Sequence, residues 1–227
     1  METLISFKRP DGKETKGYFV KAIKKDAPGV ILIQEWWGLN AQMKSVAKRL
    51  AESGYHTLVP DLYHGKLATD ANEANHLMTT LNWEEALKED LTGACSFLKS
   101  HSKETAVMGF CMGGALTLAA AVHLQSIHAA VCFYGIPPKE FANPTDVQVP
   151  ILFHFATKDD WCTPAAVNLL EKDLQSAKIP YELYRYDAQH AFFNELRPEV
   201  YDAASSKLAW ERTLSFLKLK LHQPPHE

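Results

Sequence analysis

No stretch of this chain stays apolar for long enough to span a bilayer, and none of its four cysteines falls in a CxxC pair. The first absence argues against a membrane-embedded protein. The second argues against a disulfide framework, in a chain long enough to bury a substantial core without one. The segment Met1 to Lys8 lacks a basic region followed by a long apolar core, so no secretory signal is read there and a reducing, cytoplasmic setting is expected. Charge of one sign is also scarce. The 24 Lys and Arg against 27 Asp and Glu leave a net charge of −3, too little to argue for a nucleic-acid or membrane partner. The chain shows neither an internal repeat nor a low-complexity linker. Its 227 residues are most economically one domain, 1–227, with a tail from about residue 221 (His222 to Glu227) expected to be disordered.

What remains is the composition of a globular protein, 46% apolar and 22% charged. Short apolar runs alternate with amphipathic ones. A hairpin is expected around Asp11-Gly12, between Thr3–Lys8 and Gly17–Ile23. Buried strands are read at 29–34, 55–59, 105–108, 129–134 and 151–156, and a further strand at 181–186. Helices are read at 41–53, 67–78, 83–100, 115–121 and 164–177, and from about Tyr201 to Leu219. Apolar strands alternating with helices imply an α/β fold with a mostly parallel central sheet covered on both faces. Ligand sites in such sheets lie at the carboxyl ends of the strands. Glu35, Cys111, Asp159 and His190 all fall just after predicted strands.

The run Gly109-Phe110-Cys111-Met112-Gly113-Gly114 carries the sharpest signal. It joins a short apolar strand to a helix within a few residues. Glycines two before and two after Cys111 remove side chains that would collide in so tight a turn. This is the pattern of the nucleophile elbow, G-x-S-x-G, with cysteine in place of serine. A free thiol is only a few per cent thiolate at neutral pH. A helix N-terminus and a neighbouring imidazole both favour the thiolate. His190 is the expected proton acceptor, and a carboxylate would fix its tautomer. The acid is Asp159 or the adjacent Asp160. A position three residues after Ala156 favours Asp159, whereas counting back from Pro164 favours Asp160. The chain order nucleophile, acid, histidine is that of α/β-hydrolases. An oxyanion hole would use the N–H of Met112 and one from the loop Glu35-Trp36-Trp37-Gly38, with Trp36 the expected donor.

Each of these residues also has a plainer reading. Cys95 and Cys132 read as core thiols and Cys162 as structural. Most of the ten histidines read as surface or satisfied core residues. Trp36 and Trp37 could equally cap the core or wall a pocket, and Tyr134, after another strand, is a further pocket candidate. Glu35 stands out because a carboxylate directly after a buried strand is expensive unless it is paired.

Gln34-Glu35-Trp36-Trp37-Gly38, Pro60-Asp61-Leu62-Tyr63, the glycine-framed cysteine, Phe133-Tyr134-Gly135 and His190-Ala191-Phe192-Phe193-Asn194 together resemble the dienelactone hydrolase (carboxymethylenebutenolidase) family. The likeness runs from about Gly17 to Leu219. It implies an α/β-hydrolase that cleaves an enol-lactone or related ester through an acyl-cysteine, with no metal and no organic cofactor. It places the nucleophile on Cys111, the acid on Asp159 and the base on His190. It also implies that Glu35 holds the resting thiol protonated and moves to deprotonate it when substrate enters. One departure concerns the arginines with which family members hold a substrate carboxylate. Asn194 stands at one of those positions, as a substrate-binding candidate, and the segment Thr69–Glu85, where the other is expected, has no arginine. Arg197 is nearby in a different register. The expected substrate is therefore a small ester or lactone, with a thioesterase or broad-specificity esterase as the alternative. A non-catalytic binding protein is the competing class. A monomer or small homo-oligomer is expected.

Overall fold

The computed structural model describes residues 2–221; the predicted tail, His222 to Glu227, lies outside the described residues. Eight strands form one sheet: β1 (Glu2–Lys8), β2 (Glu14–Val20), β3 (Gly29–Ile33), β4 (His56–Pro60), β5 (Thr105–Phe110), β6 (Ala129–Phe133), β7 (Ile151–Lys158) and β8 (Tyr181–Gln189). Their order is β1-β2-β4-β3-β5-β6-β7-β8. The β1–β2 and β2–β4 pairs are antiparallel and the rest are parallel. Every residue of β3, β4, β5 and β6 is buried, which is why strands such as β3 and β6 read as continuous apolar runs.

Helices pack around this sheet. Helix α1 (Ala41–Glu52) starts where the Asn40 side chain accepts from the Met43 N–H at 3.2 Å, and it buries Met43, Val46, Ala47 and Leu50. Next come α2 (Ala71–Thr80), α3 (Trp83–Glu85), a π-helical segment (Ala86–Leu91) and α4 (Thr92–Lys99). Helix α5 (Met112–His123) is buried from Met112 to Val122. Its run of glycine and alanine lets its backbone lie close against β5 and β6. Helices α6 (Pro164–Ser176) and α7 (Ala203–Leu221) complete the fold.

Most element ends shift by a few residues from the sequence reading, β2 for example running Glu14–Val20 in place of 17–23, and three differences have a clear physical cause or bear on the site. Helix α2 begins at Ala71, not Leu67, because the Asp70 side chain accepts from the Glu73 N–H at 2.8 Å and stops the helix there. The segment predicted as one regular helix over 83–100 carries the π-helical turn. That turn presents the buried Asp90 carboxylate to Thr15 Oγ1 at 2.6 Å and to the Arg9 guanidinium at 3.2 Å. Strand β8 runs three residues further than predicted, to Gln189, which carries His190 up to the rim of the sheet.

Strand order reverses at β3, which pairs with β4 on one side and β5 on the other. The carboxyl ends of β3 and β5 therefore open a crevice at the sheet's switch point. Glu35 follows β3 and Cys111 follows β5.

Candidate active site

Cys111 sits between β5 and α5 with φ +59° and ψ −117°. For a residue with a Cβ, this conformation costs about 1–3 kcal/mol and persists only when the surroundings enforce it. The enforcement is visible. A Cβ on Gly109 would collide with the Gly113 carbonyl, and one on Gly113 with the carbonyls of Ile33 and Gln34. The Cys111 N–H donates to the Phe133 carbonyl at 3.0 Å, and the Ala115 N–H donates to the Cys111 carbonyl at 3.0 Å. Behind the elbow the Tyr63 hydroxyl reaches Met112 Sδ at 3.3 Å.

Held there, Cys111 Sγ lies 3.2 Å from His190 Nε2, and His190 Nδ1 lies 2.7 Å from Asp159 Oδ2. Asp159 is buried, and its second oxygen accepts the N–H groups of Trp161 and Cys162 at 2.7 and 2.9 Å. Both carboxylate oxygens are thus occupied, which fixes the plane in which His190 is held. The neighbouring Asp160 is exposed at the cleft rim and has no part in this chain of contacts. Burial pulls the His190 pKa down. The hydrogen bonds to Asp159 and Cys111, with their charges, outweigh it and push the value up to about 10. The imidazole is therefore set up to hold a proton beside the sulfur.

Glu35 is 3% exposed. Burial raises its pKa to about 7, opposed by the charges of His190 and Arg197 and by the Asn194 amide, which donates to Glu35 Oε2 at 3.3 Å. Gln34 fixes this loop from behind: its Oε1 accepts the Leu62 N–H at 3.1 Å and its Nε2 donates to the Glu35 carbonyl at 3.3 Å.

A cleft of about 250 Å³ opens over these groups, lined by Glu35, Trp36, Cys111, Trp161, His190 and Arg197 among others. The sequence candidates divide around it. Glu35, Trp36, Cys111 and His190 face it, with Asp159 directly behind His190. Trp37, Tyr134 and Asn194 do not line it. Tyr134 is fully buried with φ +36°, its ring 5.0 Å from that of His190, and its hydroxyl is turned toward Glu35, where it helps to hold that carboxyl's pKa down against burial. Asn194 is turned inward onto Glu35. Trp37 carries the Arg197 guanidinium 5.1 Å above its ring. Of the proposed oxyanion donors, the Met112 N–H opens α5, where no intrahelical acceptor exists. The Trp36 N–H forms no hydrogen bond among the described residues.

Two cleft residues carry roles that the sequence reading did not assign: Arg197, noted there only as out of register, and Trp161, not singled out at all. Arg197 lies in the wall, though its guanidinium is engaged by Glu199 at 2.7 Å. Trp161 stands two residues after the acid. That position is the hint the sequence carries. Among the described residues, no three His, Cys, Asp or Glu side chains converge as a metal-ligand set, and no described helix is long and apolar enough to cross a membrane.

The sheet order, the sharp turn between β5 and α5, and the surrounding helices make this an α/β-hydrolase fold. The profile of the dienelactone hydrolase family matches residues 15–221; the chain belongs to that family and is a dienelactone hydrolase-like hydrolase. It is similar to Protein usf of Aquifex pyrophilus, 33% identical over 96% of this chain and 98% of that one. It is also similar to a protein of Aquifex aeolicus provisionally named carboxymethylenebutenolidase, at 30% identity over 97% of this chain and all (100%) of the relative. Among solved structures, a dienelactone hydrolase-like promiscuous phosphotriesterase from metagenomic libraries superposes with a TM-score of 0.85. That structure is 22% identical, covering 96% of this chain and 98% of that one, a likeness of fold.

Proposed function

We propose that this chain hydrolyses small carboxylic esters or lactones through a covalent acyl-cysteine at Cys111. The observation that carries this reading is the unbroken sequence of contacts from Cys111 Sγ through His190 to Asp159. In this mechanism the Cys111 thiolate attacks the carbonyl carbon, and the N–H groups of Met112 and Trp36 receive the developing oxyanion. The His190 imidazolium, held in register by Asp159, then gives its Nε2 proton to the departing alkoxide, leaving the thioester. In the second half His190, now neutral, takes a proton from water, whose oxygen attacks the thioester and releases the acid and the thiolate. Glu35 has a pKa close to neutrality and feels the His190 charge, so it is placed to exchange a proton with this pair as substrate enters. All four cysteines are free thiols, which suits a reducing cytoplasmic setting.

Incubation with an activated ester followed by intact-mass analysis tests the proposal. The expected result is a transient acyl adduct and turnover for the wild type, with neither for Cys111→Ala. Absence of adduct and of turnover across esters, lactones and thioesters would instead favour a binding protein built on this fold.

A further inference from the structure

Trp161 is a large indole left 58% exposed at the mouth of the cleft. Its backbone is fixed by the triad acid itself, since its N–H donates to Asp159 Oδ1 at 2.7 Å. Its ring lies nearly parallel to the His190 imidazole, with centroids 5.9 Å apart and planes at 23°. Its edge meets Trp36, at 5.9 Å and 79°. The ring is thus held on two sides by cleft residues while much of its surface faces solvent. Core packing gives no reason for a side chain so placed.

Position decides what could cover it. His190 Nε2 delivers the proton to the leaving oxygen, so the alcohol portion of the substrate must sit beside the imidazole on its cleft side. The Trp36 loop lies on the oxyanion side, and Tyr134 is buried against the imidazole outside the cleft lining. The exposed indole is the apolar surface next to the leaving group. A flat, polarisable group gains most against such a face, because ring stacking adds to simple burial of area.

We propose that Trp161 is the leaving-group wall of this site and selects esters whose alcohol portion is planar and aromatic. This rests on the hydrolase reading above. Phenyl acetate and 2,2,2-trifluoroethyl acetate share one acetyl group, so they form the same acyl-enzyme and differ only in the departing alcohol. Intrinsic reactivity cancels when each variant is compared with wild type on the same ester, and kcat/KM reports the acylation half in which the alcohol is still present.

The experiment measures kcat/KM for both esters with wild type, Trp161→Ala and Trp161→Phe. Trp161→Ala should lose roughly five- to tenfold more on phenyl acetate than on trifluoroethyl acetate, and Trp161→Phe should restore most of the difference. An equal loss on the two esters, or no loss, would overturn the proposal. Equal loss would make Trp161 a prop for His190, and the pH profile of kcat/KM would then move with it. If wild type turned over neither ester and formed no acetyl adduct at Cys111, the hydrolase reading would fail first and take this inference with it.

Discussion

Replacing Glu35 with glutamine should make the protein more stable, and only in one pH range. The ordinary carboxyl value of 4.5 rises to about 7 in the folded protein because the group is buried. Below pH 4.5 the carboxyl is protonated in both states. Between 4.5 and about 7 the unfolded chain ionises while the folded one keeps its proton, so unfolding releases a proton and stability falls as pH rises. At ~1.4 kcal/mol for each pH unit, the loss reaches about 3 kcal/mol above pH 7. Folded proteins are stable by only about 5–15 kcal/mol, so this single carboxylate removes a large share. A glutamine carries no charge to desolvate, and its oxygen can still accept the Asn194 amide. Urea unfolding of wild type and Glu35→Gln from pH 4.5 to 9 reads the difference directly, since groups that titrate in both proteins largely cancel. The two curves should meet near pH 4.5 and separate by up to about 3 kcal/mol above pH 7. Curves that run parallel across the range would refute a buried, proton-retaining Glu35. The same variant should lose turnover while keeping its fold, and undiminished turnover would remove Glu35 from the mechanism.

Two further substitutions test the geometry. Asp159→Asn should lower kcat by about 10³–10⁴-fold by releasing the tautomer of His190, whereas Asp160→Asn should stay near wild type in the same ester assay; the reverse order would move the acid to Asp160. Gly113→Ala places a methyl against the carbonyls of Ile33 and Gln34 and should cost about 1–3 kcal/mol in thermal or urea unfolding. An unchanged midpoint would show that the elbow tolerates a side chain there.

Much of the fold was legible in the sequence because its central strands are buried on both faces, and a strand such as Val30–Ile33 has no reason to carry a polar residue. The elbow was legible for a different reason. Tight backbone contact at Gly109 and Gly113 admits one residue type, so the geometry leaves a literal mark. The π-helical turn left none. It depends on Asp90 finding Arg9 and Thr15, residues more than 70 positions away, and no local period encodes that. Asn194 was misleading in the same way. Its spacing from His190 pointed at the cleft, but the turn Ala191–Asn194, closed by the Asn194 N–H on the Ala191 carbonyl at 3.0 Å, sends the amide inward to Glu35. Trp161 was invisible because an exposed tryptophan beside an acid looks like any loop aromatic until the histidine is placed beneath it.

Environment, not residue type, separates the four thiols. Burial pushes Cys95 up to about 11 and Cys132 up to about 12, and Cys162 is raised further by burial and by the Asp159 charge. Burial thus disfavours the thiolate at those three positions. Of the four, Cys111 alone is partly exposed, at a helix N-terminus, with an imidazole at 3.2 Å. The packing that creates this exception also restricts how the site can move. The backbone of Gly113 lies directly against the carbonyls of Ile33 and Gln34, the two residues that lead into Glu35. The elbow and the loop that leads to Glu35 are therefore in direct backbone contact, and movement of one toward the other is blocked. Rotation of their side chains changes the distance between the Cys111 thiol and the Glu35 carboxylate without disturbing this backbone contact. On that argument a substrate that alters this distance does so through side-chain rotation, and the buried Glu35 turns only when the Asn194 amide and its packing neighbours give way.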